Sequence, residues 1–192
     1  LDIGLKVYTP IVENMPSGTA IRPGDILSMR NGKTIEVMNT DAEGRLIMAD
    51  ALAYASENKP DIICDVATLT GAAYVALGVE IGAVFSNNKK TLESFLNSNS
   101  DGFENYHPLP LEQSYKSLIK SKIADMKNSG GRFGGAITAA LLLEEFVDDL
   151  DWVHLDIAGP ARSRSNNSIY PEGGTGFGVL GYFNFLTNEA VS

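Results

Sequence analysis

Cysteine and histidine are almost missing from this chain of 192 residues. Cys64 stands alone, and His107 and His154 are the two histidines. A lone cysteine excludes an intrachain disulfide and points to a reducing, cytoplasmic setting. The two histidines form no H-E-x-x-H pair, which excludes a zinc protease of the two-histidine kind. Basic residues are scarce as well: 15 Lys and Arg against 24 Asp and Glu leave a formal net charge of −9. That balance argues against nucleic acid as a partner, because phosphate contacts need clustered Lys and Arg. No apolar run reaches the roughly 18 residues of a membrane span, and nothing resembles a signal peptide. No serine or cysteine sits in a G-x-S-x-G elbow. The chain also lacks an initial Met. It opens "LDIGLKVYTPIVENMP", directly inside what reads as a strand, so the expectation is a piece of a longer protein.

What is present suits a globular α/β fold. Hydrophobic residues make up 44%, enough for a sizeable core at this length. Residues 3–12 read as a buried strand, stopped by the turn residues of "ENMPSG". "DILSMRNGKTIEVM" carries two short strands around Asn31-Gly32, a strong hairpin signal. Its "GKT" is no P-loop, since Leu27 stands where that motif needs glycine. A helix follows Glu43 and runs to about Asn58, with Leu46, Ala49, Leu52 and Ala53 at core spacing. "DIICDVATLTG" is the near-continuous apolar strand of a sheet covered on both faces. "GAVFSN" is a strand, 89–97 a helix, and the region of "NYHPLP" a loop rich in Pro and Tyr. "GGRFGGAITAALLLEEFV" reads as a glycine loop entering an apolar helix, "DWVHLDIAG" as the last strand, and "GGTGFGVLGYFNFL" as glycines followed by a closing helix. The alternation predicts a single α/β domain, or part of one. Its sheet is expected to be mixed, largely parallel and covered by helices on both faces.

The stretch "NTDAEGRLIMADAL", residues 39–52, admits two readings. Thr40 with Glu43 three residues on is the capping-box pattern, and acidic residues suit a helix N-terminus. Arg45 does not, because the first turn carries partial positive charge. Asp41 and Glu43, two residues apart at a loop-to-helix junction, can instead aim two carboxylates at one hard divalent cation. A guanidinium beside them can hold an anion. Elsewhere the bland readings prevail: His154 as a core residue, Asp156 as a structural hydrogen-bonding group, Asp50 as a structural partner. The glycines of "SGGRFGGA" suit close packing as well as an anion at a helix N-terminus.

The same stretch closely resembles the signature of the leucine aminopeptidases, or cytosol aminopeptidases. "ENMPSG", "RPGDI", "NGKTIEV", "ATLTGA", "ALG", "GGAITAA", "HLDIAG" and "GTGFGV" are similar to that family's other blocks, in its order. The resemblance implies the C-terminal part of an α/β catalytic domain, residues 1–192, in a two-metal exopeptidase assembled as a homo-hexamer. It implies Asp41 and Glu43 as metal ligands, with the Asp41 backbone carbonyl a further donor. Arg45 would be the holder of a bicarbonate. Thr68, Leu69 and Gly71 in "ATLTG" would bind substrate, with Asn39 and Gly174 lining the pocket.

The family's further ligands, a Lys and two Asp, and its catalytic Lys belong to a segment before this chain's first residue. The expectation is therefore about half a site, inactive on its own. The intact enzyme would remove N-terminal leucine or other apolar residues from peptides, using two divalent ions (zinc, manganese or magnesium) and bicarbonate. Two alternatives stay open at this point. One is a non-catalytic structural or assembly fragment of a hexamer. The other is an anion- or nucleotide-binding α/β domain using "SGGRFGGA".

Overall fold

A computed structural model describes residues 3–100, 102–166 and 170–190. In chain order the elements begin with strands β1 (Ile26–Ser28) and β2 (Thr34–Glu36), helix α1 (Glu43–Ser56), strand β3 (Ile62–Ala67) and helix α2 (Gly71–Leu77). Then come β4 (Ile81–Ser86), α3 (Lys89–Ser98), β5 (Asn105–Pro108), β6 (Met126–Lys127) and α4 (Gly135–Glu144). The chain ends with β7 (Asp151–Asp156), β8 (Arg162–Ser163), β9 (Gly173–Gly174) and α5 (Val179–Glu189). The class is mixed α/β, and the contacts divide it into two compact units.

The first unit is built from Val7–Ile63 and Leu111–Leu150. Its sheet has the order β1-β2-β6, antiparallel between β1 and β2 and parallel between β2 and β6. The hairpin expected at Asn31-Gly32 is there. Gly32 alone of the pair takes positive φ, at 86°, and its N–H closes a turn onto the Met29 carbonyl at 2.9 Å. α1 packs on α4. Leu46, Ala49, Leu52 and Ala53, spaced for one helix face, are all buried, as the 3.6-residue period requires. α4 is apolar on every side and correspondingly buried, with Ala139 to Leu143 wholly inside. Asp50 has the structural role expected of it: its carboxylate accepts the Arg30 N–H at 2.8 Å.

The second unit comprises Cys64–Pro110, the described residues from Asp151 onward and those before Val7. Its sheet runs β3-β7-β4-β5, with β4 antiparallel to β7 and parallel to β5. α2 and α3 pack on β4, and α3 on α5. The core holds Phe85, Phe95, Trp152, Leu155 and Phe185. Asp65 organises its polar part: one carboxylate oxygen accepts from the Trp152 indole at 2.6 Å, and the other lies 2.5 Å from His154 Nδ1. The Tyr182 hydroxyl donates to the Asp65 carbonyl. His154 is thus a core residue, as expected, but only half satisfied: Nδ1 is paired with Asp65, while the buried Nε2 has no hydrogen-bond partner among the described residues. Burial raises the thiol of half-buried Cys64 to about 12, with Asp65 adding to the shift.

Three expectations fail. Residues 3–12 form no strand; Leu5, Val7, Ile11 and Val12 are 69, 76, 86 and 53% exposed. Apolarity makes a segment compatible with a strand but does not supply the neighbouring ladder a strand needs. β3, read as an apolar strand covered on both faces, is an edge strand in which Ile63 is the one buried residue and Val66 is 45% exposed. "NYHPLP", expected as loop, contains β5; its Pro108 is tolerated because β5 is the opposite edge, where a missing N–H costs no ladder bond.

The buried His154–Asp65 pair makes stability depend on pH. Burial pushes the imidazole down, but the Asp65 charge and hydrogen bond outweigh it, and His154 ends above its ordinary value. A raised folded-state value means protonation favours the fold. The stabilisation is complete below the unfolded value of about 6.5 and lost as pH rises through the folded one. The urea midpoint is expected to fall across that window, and Asp65→Asn to flatten the fall. An equally steep fall in the Asp65→Asn variant would assign the effect to other groups.

Candidate functional site

In the first unit, the segment after β2 builds a short turn from its own side chains. Asn39 is extended (φ −140°, ψ 118°), and its side-chain oxygen accepts the Asp41 N–H at 3.0 Å. That bond starts the 3-10 turn Thr40–Ala42, which leads straight into α1. Asn is suited to this because its short carbonyl reaches the N–H two residues on. The capping box suggested by Thr40 and Glu43 is not made: Ala42 is the N-cap of α1, with no side-chain capping bond. The Glu43 carboxylate instead accepts from Asn14 Nδ2 at 2.9 Å, and the same amide donates to the Thr40 carbonyl at 3.0 Å. Asp41 is exposed, and Arg45 is half-buried with Nη1 donating to the Asn128 carbonyl at 2.8 Å.

Asn128 is the residue that sequence reasoning missed. It is wholly buried. Its Oδ1 accepts from the N–H groups of Met38 at 2.8 Å and Asn39 at 3.2 Å. Its Nδ2 donates to the carbonyls of Asn39 at 2.7 Å and Ala42 at 3.5 Å. No motif marks it, because all these partners lie more than eighty residues earlier in the chain.

The remaining candidates belong to the second unit. Thr68 and Leu69 form the loop between β3 and α2, and Gly71 is the first residue of α2. Thr70 caps that helix, accepting the Ala73 N–H on Oγ1 at 3.0 Å. Asp156, buried at the end of β7, fixes the loop. Its Oδ1 accepts from Leu69 N at 3.1 Å, Thr70 N at 3.3 Å and Ala158 N at 3.2 Å, and its Oδ2 from the Thr70 hydroxyl at 2.6 Å. The structural hydrogen-bonding role expected of Asp156 is the one it has. Gly174 lies in β9, paired with Arg162 of β8. So one turn of the first unit carries Asn39, Asp41, Glu43 and Arg45, and two separate segments of the second carry the rest.

The donor chemistry of Asp41 and Glu43 fits a divalent cation, since carboxylate oxygens are the ligands hard ions prefer. Their number is short of a coordination sphere. Among the described residues, no group of three or more His, Cys, Asp or Glu is placed to hold a metal ion. Two of the four glycines of "SGGRFGGA" have packing reasons, while Gly131 has positive φ, at 92°, and open space at its Cβ position. A Cβ on Gly134 would lie 3.0 Å from the Tyr115 ring, and one on Gly130 3.2 Å from Thr138. Among the described residues no helix is long and apolar enough to cross a membrane.

A profile of the "Cytosol aminopeptidase family, catalytic domain" matches residues 1–181. A probable cytosol aminopeptidase of Syntrophotalea carbinolica is 50% identical over 189 residues, which make up 98% of this chain and 38% of that relative. Among solved structures, a mutant of tomato leucine aminopeptidase superposes with TM-score 0.86 at 45% identity, covering 92% of this chain and 34% of that one. The bottromycin maturation enzyme BotP in complex with Mn superposes with TM-score 0.89 at 39% identity, covering 94% and 41%. The chain spans little more than a third of the length of these relatives.

The way the turn starts is open to direct measurement. Asn39→Ala removes the one side-chain cap and is expected to cost about 1 kcal/mol, whereas Thr40→Ala should stay within about 0.5 kcal/mol. Urea unfolding of the two variants measures both. A larger loss at Thr40 than at Asn39 would restore the capping box.

Proposed function

The chain belongs to the cytosol aminopeptidase family, and from that premise we propose that it is part of a metal-dependent enzyme that removes N-terminal residues from peptides. Leucine and other apolar residues are the proposed preference, the cytoplasm the proposed setting and a homo-hexamer the proposed assembly. The observation that carries the proposal is the turn from Asn39 to Arg45: its carboxylates are not consumed in capping α1, so they are available as ligands. Its residues correspond to the signature on which the family resemblance rests.

In this reading Asp41 and Glu43 bind divalent ions, and residues outside these 192 complete the coordination. Divalent ions held there would polarise the scissile carbonyl and lower the pKa of water. Manganese is the first to test, because the BotP complex contains it; zinc and magnesium remain candidates on donor chemistry. Arg45 holds a bicarbonate, matching two of its oxygens with a planar fork, and so keeps a proton acceptor beside the water. The Asn128 carbonyl takes one of its N–H groups and fixes the fork's direction. The loop Thr68–Gly71, held by Asp156, presents backbone groups to the substrate; Gly174 and, in the other unit, Asn39 are further candidate substrate contacts. The 192 residues alone are inactive in this reading.

The full-length protein should hydrolyse a leucine anilide, lose that activity to a chelator and recover it with manganese. Glu43→Gln should leave the urea midpoint nearly unchanged, within about 0.5 kcal/mol, while manganese affinity and turnover fall steeply. Activity that survives exhaustive chelation, or a Glu43→Gln variant with the parent's manganese affinity, would overturn the metal assignment.

Bicarbonate tests Arg45 separately. Arg45→Ala should keep most of the manganese affinity but lose the acceleration that added bicarbonate gives the parent. Arg45→Lys should rescue poorly, because an ammonium cannot reproduce two parallel N–H donors. Identical bicarbonate responses in parent, Ala and Lys proteins would show that Arg45 does not hold the anion.

A further inference from the structure

We propose that Asn128 is a positioning residue for the metal-binding turn. Its side-chain amide sets the backbone from Met38 to Ala42, and its main-chain carbonyl sets the guanidinium of Arg45. The proposal rests on reading Asp41 and Glu43 as ligands, and it concerns what holds them in place.

β2 and β6 pair in parallel, Ile35 with Met126 and Glu36 with Lys127. Asn128 adds a further rung through its own N–H, which donates to the Glu36 carbonyl at 3.0 Å. Beyond Val37 the chain leaves the strand for the 3-10 turn, and backbone pairing of this kind ends. The Asn128 side chain takes over where the ladder stops. An amide presents one acceptor with two lone pairs and two N–H donors. Here Oδ1 meets two N–H groups and Nδ2 faces two carbonyls, so the whole inventory is used. Turning the amide over would set donors against donors and acceptors against acceptors, so its orientation is fixed.

The consequence passes to the ligands by two routes. Both backbone groups of Asn39 are held by this amide, and the Asn39 side chain in turn accepts the Asp41 N–H. The third tie, at Ala42, falls directly before Glu43. On its other side, the Asn128 carbonyl takes Arg45 Nη1. One residue therefore spans the turn from before the first proposed ligand to the proposed anion holder, without touching either ligand carboxylate. A leucine of similar size would withdraw all four hydrogen bonds from the part-buried backbone of Met38, Asn39 and Ala42, and a polar group that loses its partner away from water is costly. An aspartate keeps the acceptor but sets an oxygen against two carbonyls and buries a charge.

The test uses the full-length protein with Asn128→Asp, Asn128→Ser and, as a control in the same unit's core, Phe146→Leu. Manganese affinity is measured by calorimetry or by the spin resonance of free Mn, beside thermal unfolding and the response of turnover to bicarbonate. Residues that orient metal ligands typically cost about 10- to 100-fold in metal affinity when changed, and that loss is expected of both Asn128 variants. Their bicarbonate acceleration should shrink as well. Phe146→Leu, although destabilised, should bind manganese as the parent does. Serine serves if aspartate does not fold, because it keeps the main-chain carbonyl for Arg45 and a small hydroxyl at the turn. Folded Asn128 variants with the parent's manganese affinity and bicarbonate response overturn the proposal. So does failure of both to fold while Phe146→Leu folds, since a purely structural role then suffices. If Glu43→Gln also leaves manganese affinity unchanged, the metal reading itself has failed; if it weakens binding while the Asn128 variants do not, the positioning role alone has failed.

Discussion

A buried amide cannot leave its hydrogen bonds to water, and at Asn128 that constraint governs a whole turn. The backbone from Met38 to Ala42 has to present two N–H groups on one side and two carbonyls on the other, or the burial becomes costly. The turn's shape is thus set by a residue that is remote in sequence and adjacent in space. The second unit uses the same device with a carboxylate. Asp156 gathers three N–H groups and a hydroxyl around the start of α2. In both places, backbone that has left the regular ladders is held by one saturated polar side chain instead of by apolar packing.

This arrangement resolves the tension within "NTDAEGR". Helix capping and ligand chemistry compete for the same acidic residues, because a carboxylate bonded to the first turn's N–H groups has fewer lone pairs for anything else. In this chain the cap is made by Asn39, on a preceding 3-10 turn. Asp41 and Glu43 are left out of the cap. Arg45, unfavourable to the helix dipole, has a carbonyl acceptor in Asn128. The cost in propensity thus falls on Arg45, because acidic residues suit a helix start.

What could be read in the sequence was local. The hairpin at Gly32, the core face of α1 and the all-round apolar α4 follow from short-range patterns with periods of two or 3.6 residues. The signature at residues 39–45 was readable because its residues are contiguous and unusual in type. The failures were all questions of neighbours. Nothing within Ile3 to Val12 says whether another strand will lie beside it. Nothing within "NYHPLP" says that β4 will accept it as an edge. Whether Thr40 or Asn39 caps depends on where the helix begins, a matter of one or two residues that pattern reading does not resolve. Asn128 was invisible for the strongest form of this reason: an asparagine's role is defined by the groups opposite it, and those lie elsewhere in the chain.

The thiol of Cys64 offers something different. With its ionisation raised to about 12 by burial, the reactive thiolate is rarer by roughly three orders of magnitude than in an unfolded chain, where cysteine ionises near 8.5. Alkylating reagents should therefore read the opening of β3's surroundings rather than the resting fold. Because the chain has no other cysteine, the modification is a single-site clock for that opening, already present without engineering.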